Sequence, residues 1–413
     1  MKILITSHYF FPENFPVIND FAKTLNNQGH EVIIGTGKPN YGSGNLYKGY
    51  SLFGNEDNLF LNKIKIFRFP TIPRKRNKFS LMLNYLSHIF FGSIILPIKL
   101  RNEKIDLVFH YQAGPITSII PSIFIKFQKK SHLVLWVQDL WPDTLKSFPI
   151  VNNSFFLFLL SHLTKIIYSL SDSILIQSKA FHPLMEKYLR KKETIYFPNS
   201  LIDKKPENKL SSNSDLKDLN RILNKFNCFV FAGNIGEAQS LITIIKAAQL
   251  LINEENCKII FIGDGSKSLF LKKKIEELRL NNVLVNGPLP VEIVNEIFTL
   301  ASGLIVTLKN QKNFNHTIPS KVQSYLSAGK PIVAALNGEG ARVIKESKAG
   351  LVCEAEDHIS LSKNIKKIIG MDSKDQELLG YNGRQYFIKN FEMYNNTRKI
   401  MKVLVSKIEK QKK

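Results

Sequence analysis

The chain has 413 residues, and its 57 Lys and Arg against 34 Asp and Glu leave a formal net charge of +23. Hydrophobic residues make up 44% and aromatic ones 11%, so the charge sits on a chain able to build cores, which excludes a disordered polycation. At this length two domains are expected, because single cores stop growing at roughly 250–300 residues. Cys228, Cys257 and Cys353 are too scattered for a disulfide framework or a Cys-based metal site, which fits a reducing compartment.

Apolar periodicity predicts a strand at KILIT (2–6), an amphipathic helix over 16–28 closed by Gly29, and a second strand at EVIIGT (31–36). The apolar run after Met1 is too short for a secretory leader, so a cytoplasmic protein is expected. Residues 61–104 then carry ten basic residues against Glu103 alone, most of the positive excess of the first 200 residues. Such concentration points to an anionic surface, either nucleic acid or a cytoplasmic membrane leaflet.

The stretch from Phe79 to Leu100 has no formal charge until Lys99 and is long enough to span a bilayer. Ser80, Asn84, Ser87 and His88 recur at helical spacing as a polar stripe, Pro97 interrupts its end, and a span would part strands that should pair. An in-plane amphipathic helix at the membrane, or one packed between the domain and the membrane, is therefore expected, anchored at its start by Arg74, Lys75, Arg76 and Lys78; FFLFLL (155–160) would extend the same surface. The bland alternative is that both runs are buried domain helices. The aliphatic runs beside the basic cluster favour lipid over nucleic acid, and neither a helix-turn-helix nor a zinc pattern is present.

Further strands are predicted at DLVFH (106–110), HLVLWVQ (132–138), SILIQ (173–177) and TIYF (194–197). Residues 201–218, rich in Lys, Ser, Asn and Asp, read as a linker between a domain over 1–200 and a second over 219–390. The second domain repeats the alternation with CFVFAG (228–233), KIIFIG (258–263), NVLVNG (282–287), GLIVTL (303–308), PIVAAL (331–336) and GLVCE (350–354). A final helix over about 391–413, with a basic end, is expected to pack back on the first domain. The pattern predicts an α/β chain of two Rossmann-like domains facing each other across a cleft, the default ligand site.

In the second series, FAGNIGEAQS (231–240) and IGDGS (262–266) are glycine-rich turns directly after strands, where a ligand can approach the backbone. Neither is a Walker loop, and the first strand of the chain does not open into GxGxxG, which counts against a nicotinamide-dependent enzyme. In HTIPSKVQSYLSAGKPIVA (316–334), Pro319 suits the first turn of a helix, and Ser320 and Lys321 place a hydroxyl and a cation near its N-terminus. Such a helix start would receive a diphosphate, or it is simply a capped helix with an exposed lysine.

These features, in this order and with GHEV after the first helix, resemble glycosyltransferase family 4, retaining nucleotide-sugar transferases of GT-B fold. HYFFPE (8–13), GKPNYGSGNLYKGY (37–50) and VQDLWPDT (137–144) resemble the bacterial L-fucosamine transferase-like subgroup of surface-polysaccharide enzymes. The resemblance implies that Gly233, Asn234, Gly236 and Gln239, with Pro319, Ser320 and Lys321, line the donor diphosphate. It implies that Gly263, Asp264 and Gly265 serve the nucleotide pocket. Asp139 stands where many members place a histidine beside the donor sugar; its structural alternative is to cap the following helix. Where many members carry two glutamates spaced eight apart, this chain has His316 and Ser324, and the customary Arg and Lys of the first turn are Asn234 and Gln239. Charge on the leaving diphosphate would then fall to Lys321, the helix N-terminus and Arg342.

The expected function is transfer of an N-acetylated deoxyhexose, such as N-acetyl-L-fucosamine, from a UDP-sugar to a polyprenyl-diphosphate saccharide in capsule or O-antigen synthesis. The enzyme would act peripherally on the anionic cytoplasmic membrane face, without nucleic acid, a cofactor or a metal, there being no DxD triplet. The alternatives are a basic nucleic-acid-binding protein and a nucleotide-sugar epimerase of the same fold, the latter marked by hydrolysis of its sugar nucleotide without acceptor.

Overall fold

The computed structural model describes residues 1–56, 58–75, 77–146, 154–189, 191–204, 210 and 216–412. It divides into two compact units, Met1–Ser200 with Met393–Lys413, and Leu201–Glu392.

The first unit is built on β1 (Lys2–Ser7), β2 (Glu31–Gly37), β3 (Leu59–Phe60), β4 (Ile64–Phe69), β5 (Leu107–Gln112), β6 (His132–Val137), β7 (Ser173–Ile176) and β8 (Thr194–Tyr196). Their spatial order is β3-β4-β2-β1-β5-β6-β7-β8, parallel except for the short edge strand β3. Strands β5 and β6 are buried throughout, as expected where helices cover both faces of a parallel sheet. The strand β4 was not expected: IKIFRF alternates basic and apolar residues inside the stretch that charge marks as a patch.

Helix α1 (Pro16–Asn27) begins with proline in its first turn and buries Ile18, Phe21, Ala22 and Leu25. Phe21, Phe109 and Phe197 pack around Trp136, whose indole N–H donates to the Phe197 carbonyl at 2.9 Å. The C-terminal helix Met393–Lys412 packs in this unit. Gln28 donates to the Tyr394 carbonyl, and Asn396 donates to Ser200 Oγ, both at 2.9 Å.

Helix α2 (Lys78–Lys99) is long and apolar enough to cross a membrane, yet it leads from β4 to β5, two strands of one sheet. Its polar stripe faces inward. Asn84 is fully buried, donates to the Ile72 carbonyl at 2.6 Å and meets His8 Nε2 at 2.8 Å; Ser87 Oγ accepts the Ile72 N–H at 2.9 Å; His88 stacks on His8. The opposite face presents Phe79, Met82, Leu86, Phe90, Ile94 and Ile98, each between 47% and 65% exposed. The loop after β4 and the end of β1 supply the partners of the stripe, a direction that the sequence pattern alone does not reveal. Helix α3 (Ile120–Lys129) packs on α2 and exposes Phe124 and Phe127. After α4 (Asp143–Lys146), helix α5 (Ser154–Leu170) packs on the Ile116–Ile119 turn that leads into α3 and exposes Phe155, Phe156, Phe158, Leu159 and Ile166.

The second unit carries β9 (Asn227–Ala232), β10 (Cys257–Ile262), β11 (Val283–Val285), β12 (Gly303–Thr307), β13 (Ile332–Ala335) and β14 (Gly350–Cys353). Their order is β11-β10-β9-β12-β13-β14, all parallel. The stretch read as a linker joins this unit at its described residues: Leu210 and Leu216 are buried in its core, and Arg384 Nη1 donates to Asp203 Oδ1 at 2.7 Å.

Candidate functional site

Beyond the carboxyl ends of β9 and β10 lies a cavity of about 770 Å³, formed within the second unit. The turn after β9 contributes Gly233, Asn234 and Gln239, and the turn after β10 contributes Gly263 and Asp264. Helix Ser320–Ala328 opens onto it with Pro319, Ser320, Lys321 and Ser324. The parallel β9–β10 and β9–β12 pairings set these turns at one end of the sheet, the end where open α/β sheets take ligands.

Lys321 is the electrostatic centre. Its ammonium donates to Gln239 Oε1 at 2.7 Å and sits 3.6 Å above the centre of the Phe231 ring. Burial of the charge lowers its pKa to about 7. Gly233, at φ +118°, makes room for it, since a Cβ there would lie 3.0 Å from Lys321 Cε. The N-terminus of a nine-residue helix adds a positive dipole end beside this ammonium. Tyr325 Oη, in the same helix, accepts the Ala232 N–H at 3.1 Å and fixes the helix to the end of β9.

The two glycine turns are laced to each other. The Ile235 N–H donates to the Asp264 carbonyl, and the Lys267 N–H donates to the Ile235 carbonyl. Gly263 has φ +132°, and a Cβ on it would lie 2.0 Å from the Gly233 carbonyl oxygen; one on Gly265 would lie 2.5 Å from the Ile235 carbonyl oxygen. Close backbone approach is thus the local reason for both glycines. Gly263→Ala is expected to cost at least about 2 kcal/mol in denaturant unfolding, since both the φ and the clash oppose a side chain; an unchanged midpoint would refute this packing. Asp264 Oδ1 accepts from the Ser268 hydroxyl and the Gly265 N–H, which hold its pKa below the ordinary carboxylate range.

Gly236 and Gly265 lie in these turns but outside the cavity lining, and so does the half-buried His316, whose neighbours Phe314 and Thr317 reach the cavity instead. Arg342 is spent elsewhere: Glu339 Oε1 accepts from its Nε at 2.8 Å, and Glu346 pairs with its Nη1. The wall formed by Pro288, Leu289, Val291, Val294 and Phe298, with Asn295, was not anticipated. Its signal is the Gly287-Pro-Leu-Pro turn after β11, which sequence reading used only to end a strand. An apolar wall facing a cation and a helix N-terminus suits a planar base joined to a diphosphate.

In the first unit, Asp139 follows β6 and is solvent-exposed as a residue; the protein around its carboxylate desolvates it and raises its pKa, while the Gly114 N–H that it accepts from the turn after β5 opposes the shift. Gln112 Nε2 braces both turns by donating to the Gly114 and Asp139 carbonyls at 3.0 and 3.2 Å. The side chain is therefore tied to the β5 turn. Lys75 and Lys78 are exposed, Arg74 is half-buried, and Arg76 lies outside the described residues. Among the described residues no group of three or more His, Cys, Asp and Glu could hold a metal ion.

Comparisons with known proteins fit this geometry. Residues 213–386, most of the second unit, match the family described as glycosyl transferases group 1. The chain is 26% identical to the probable glycosyltransferase WbjE of Pseudomonas aeruginosa over 334 residues, 79% of this chain and 80% of that one. Among solved structures, HepE of Anabaena in complex with UDP aligns at a TM-score of 0.68 and 15% identity over 98% of this chain and all of that one. A glycosyltransferase from Rickettsia africae aligns at 0.71 and 13% over 98% of each chain. At such identities the structures establish the fold, which is GT-B.

Proposed function

We propose that this chain, whose residues 213–386 match the glycosyl transferases group 1 family, is an enzyme that transfers an N-acetylated deoxyhexose, such as N-acetyl-L-fucosamine, from a UDP-sugar to a polyprenyl-diphosphate saccharide. The product would enter capsule or O-antigen synthesis. The observation that carries the reading is the joining of Lys321, the Ser320 helix start and the apolar 288–298 wall around one cavity.

In this reading the wall receives the uracil, while Lys321 and the helix N-terminus receive the diphosphate and stabilise the charge that builds on it as the glycosidic bond breaks. No divalent ion is required for that step. Ser324, at the cavity edge, is a candidate for the donor ribose or sugar. Retention at the anomeric carbon and the choice of sugar rest on the resemblance of the motifs at 8–13, 37–50 and 137–144. The UDP complex of HepE and the likeness to WbjE support a nucleotide-sugar donor.

The layer of α2, α3 and α5 supports action at a membrane. Its outward Phe, Leu, Ile and Met side chains exceed what a solvated helix face ordinarily shows, and Lys75 and Lys78 stand at its rim, where anionic headgroups would meet them. We therefore propose a peripheral position on an anionic leaflet, and assign it to the cytoplasmic one.

Asp139 is assigned to orient a sugar hydroxyl. Asp139→Asn is expected to lower turnover about tenfold or more, the scale of one charge-assisted hydrogen bond, with an unchanged unfolding midpoint; a fully active variant would leave Asp139 only its bond to Gly114. The whole reading is tested by incubating the protein in EDTA buffer with UDP-linked N-acetylated deoxyhexoses and a polyprenyl-diphosphate saccharide in anionic vesicles. Labelled sugar should move to the lipid fraction. Hydrolysis or epimerisation of the donor at the same rate without acceptor would overturn it.

A further inference from the structure

Arg74 does not behave like the lysines beside it. Its guanidinium donates to Tyr9 Oη at 3.4 Å and lies 5.8 Å from the centre of the Tyr41 ring. Among the described residues no carboxylate forms an ion pair with it. Its backbone is held firmly, for the Arg74 N–H donates to Asn40 Oδ1 at 2.9 Å, and Asn84 Nδ2 meets the same oxygen at 3.3 Å. The Asn40 and Tyr41 N–H groups in turn each donate to the buried Glu13 carboxylate at 2.8 Å. Buried bonds from the β1 end, the β2 loop and α2 therefore fix one cation among aromatic side chains.

Tyr9 is 4% exposed, and burial raises the pKa of its phenol, so the hydroxyl that accepts from Arg74 keeps a proton to donate. A guanidinium beside a phenolic donor is a receptor for phosphate oxygens, which take planar charge and a hydroxyl together. Burial raises the pKa of Tyr85, on α2, with the charge of Arg74 opposing the shift and that of Asp139 adding to it. Arg74 also precedes the start of α2 by four residues, at the end of the helix whose outer face is apolar.

We infer that Arg74, with Tyr9 and Tyr41, binds the diphosphate head of the lipid-linked acceptor, while the lipid remains at the α2 face. This rests on the acceptor class proposed above and takes Arg74 out of the group of general membrane anchors.

The test uses the full chain, with farnesyl diphosphate as the acceptor-head probe and saturating UDP present to occupy the second unit. Arg74→Ala should weaken farnesyl diphosphate binding at least about tenfold, Arg74→Lys should recover part of it, and Tyr9→Phe should weaken it several-fold. UDP affinity, sedimentation with anionic liposomes and farnesol binding should stay at wild-type values. Undiminished farnesyl diphosphate binding by Arg74→Ala overturns the inference. Loss of UDP binding instead would move Arg74 to the donor, and loss of liposome sedimentation alone would return it to the headgroups; either also overturns it. Absence of sugar transfer by a wild-type chain that binds farnesyl diphosphate through Arg74 would fail the proposed transferase reading and leave this site standing.

Discussion

Lys321→Ala is expected to weaken UDP binding by about 1–3 kcal/mol and to lower transfer at least as much, because it removes the cation set among Gly233, Gln239 and Phe231. The pH dependence identifies the group. With its pKa near 7 in the free protein, Lys321 loses its proton as pH rises through neutrality, and a diphosphate must restore that proton on binding. Wild-type affinity should fall as pH rises through about 7, where the terminal phosphate of UDP is already mostly ionised, approaching one proton taken up per UDP bound by pH 8. Calorimetry in buffers of different ionisation enthalpy reads that proton directly. Lys321→Ala should show neither the fall nor the uptake, and a variant that retains both would place the titrating group elsewhere.

The same shift affects folding with a definite sign. Between about pH 7 and the ordinary lysine pKa of 10.5, the unfolded chain binds a proton that the folded chain does not. Stability owed to this group therefore rises with pH across that window.

The second large effect concerns the outer face of α2. Changing Leu86, Phe90 and Ile94 together to serine should reduce sedimentation with anionic liposomes by a hundredfold or more, since each apolar side chain withdrawn from the acyl region forfeits about 1.5–3 kcal/mol. Folding should be little affected, because these side chains are about half exposed already. The inward residues should behave oppositely: Asn84 is fully buried and bonded to Ile72 and His8, so its loss would strike the fold. Replacing Lys75 and Lys78 should give a smaller, salt-sensitive loss of about 1 kcal/mol per residue. A triple serine variant that sediments like the wild type would remove the membrane from the account.

These expectations show where the sequence was legible. Parallel strands such as HLVLWVQ announce themselves because both their faces are buried, and glycine turns after strands mark the ligand end of a sheet. The direction of the α2 stripe was not legible: periodicity groups Ser80, Asn84, Ser87 and His88, but their inward orientation comes from the Ile72 backbone in the loop before the helix and from His8, remote in sequence. The role of Arg342 was within reach, since Glu339 and Glu346 stand at helical spacing from it. The cavity wall was harder, because Pro288, Val291 and Phe298 resemble ordinary core until the chain returns beside β9. Leu210 and Leu216 are isolated apolar residues in a polar stretch, and only tertiary packing reveals them as core.

The most direct measurement is a crystal structure of the protein with UDP. The account predicts the uracil against Pro288, Leu289 and Val291, and a diphosphate oxygen within hydrogen-bond reach of Lys321 Nζ and the backbone N–H groups at Ser320 and Lys321. UDP bound away from Lys321, or a second-unit cavity that stays empty at saturating UDP, would contradict it.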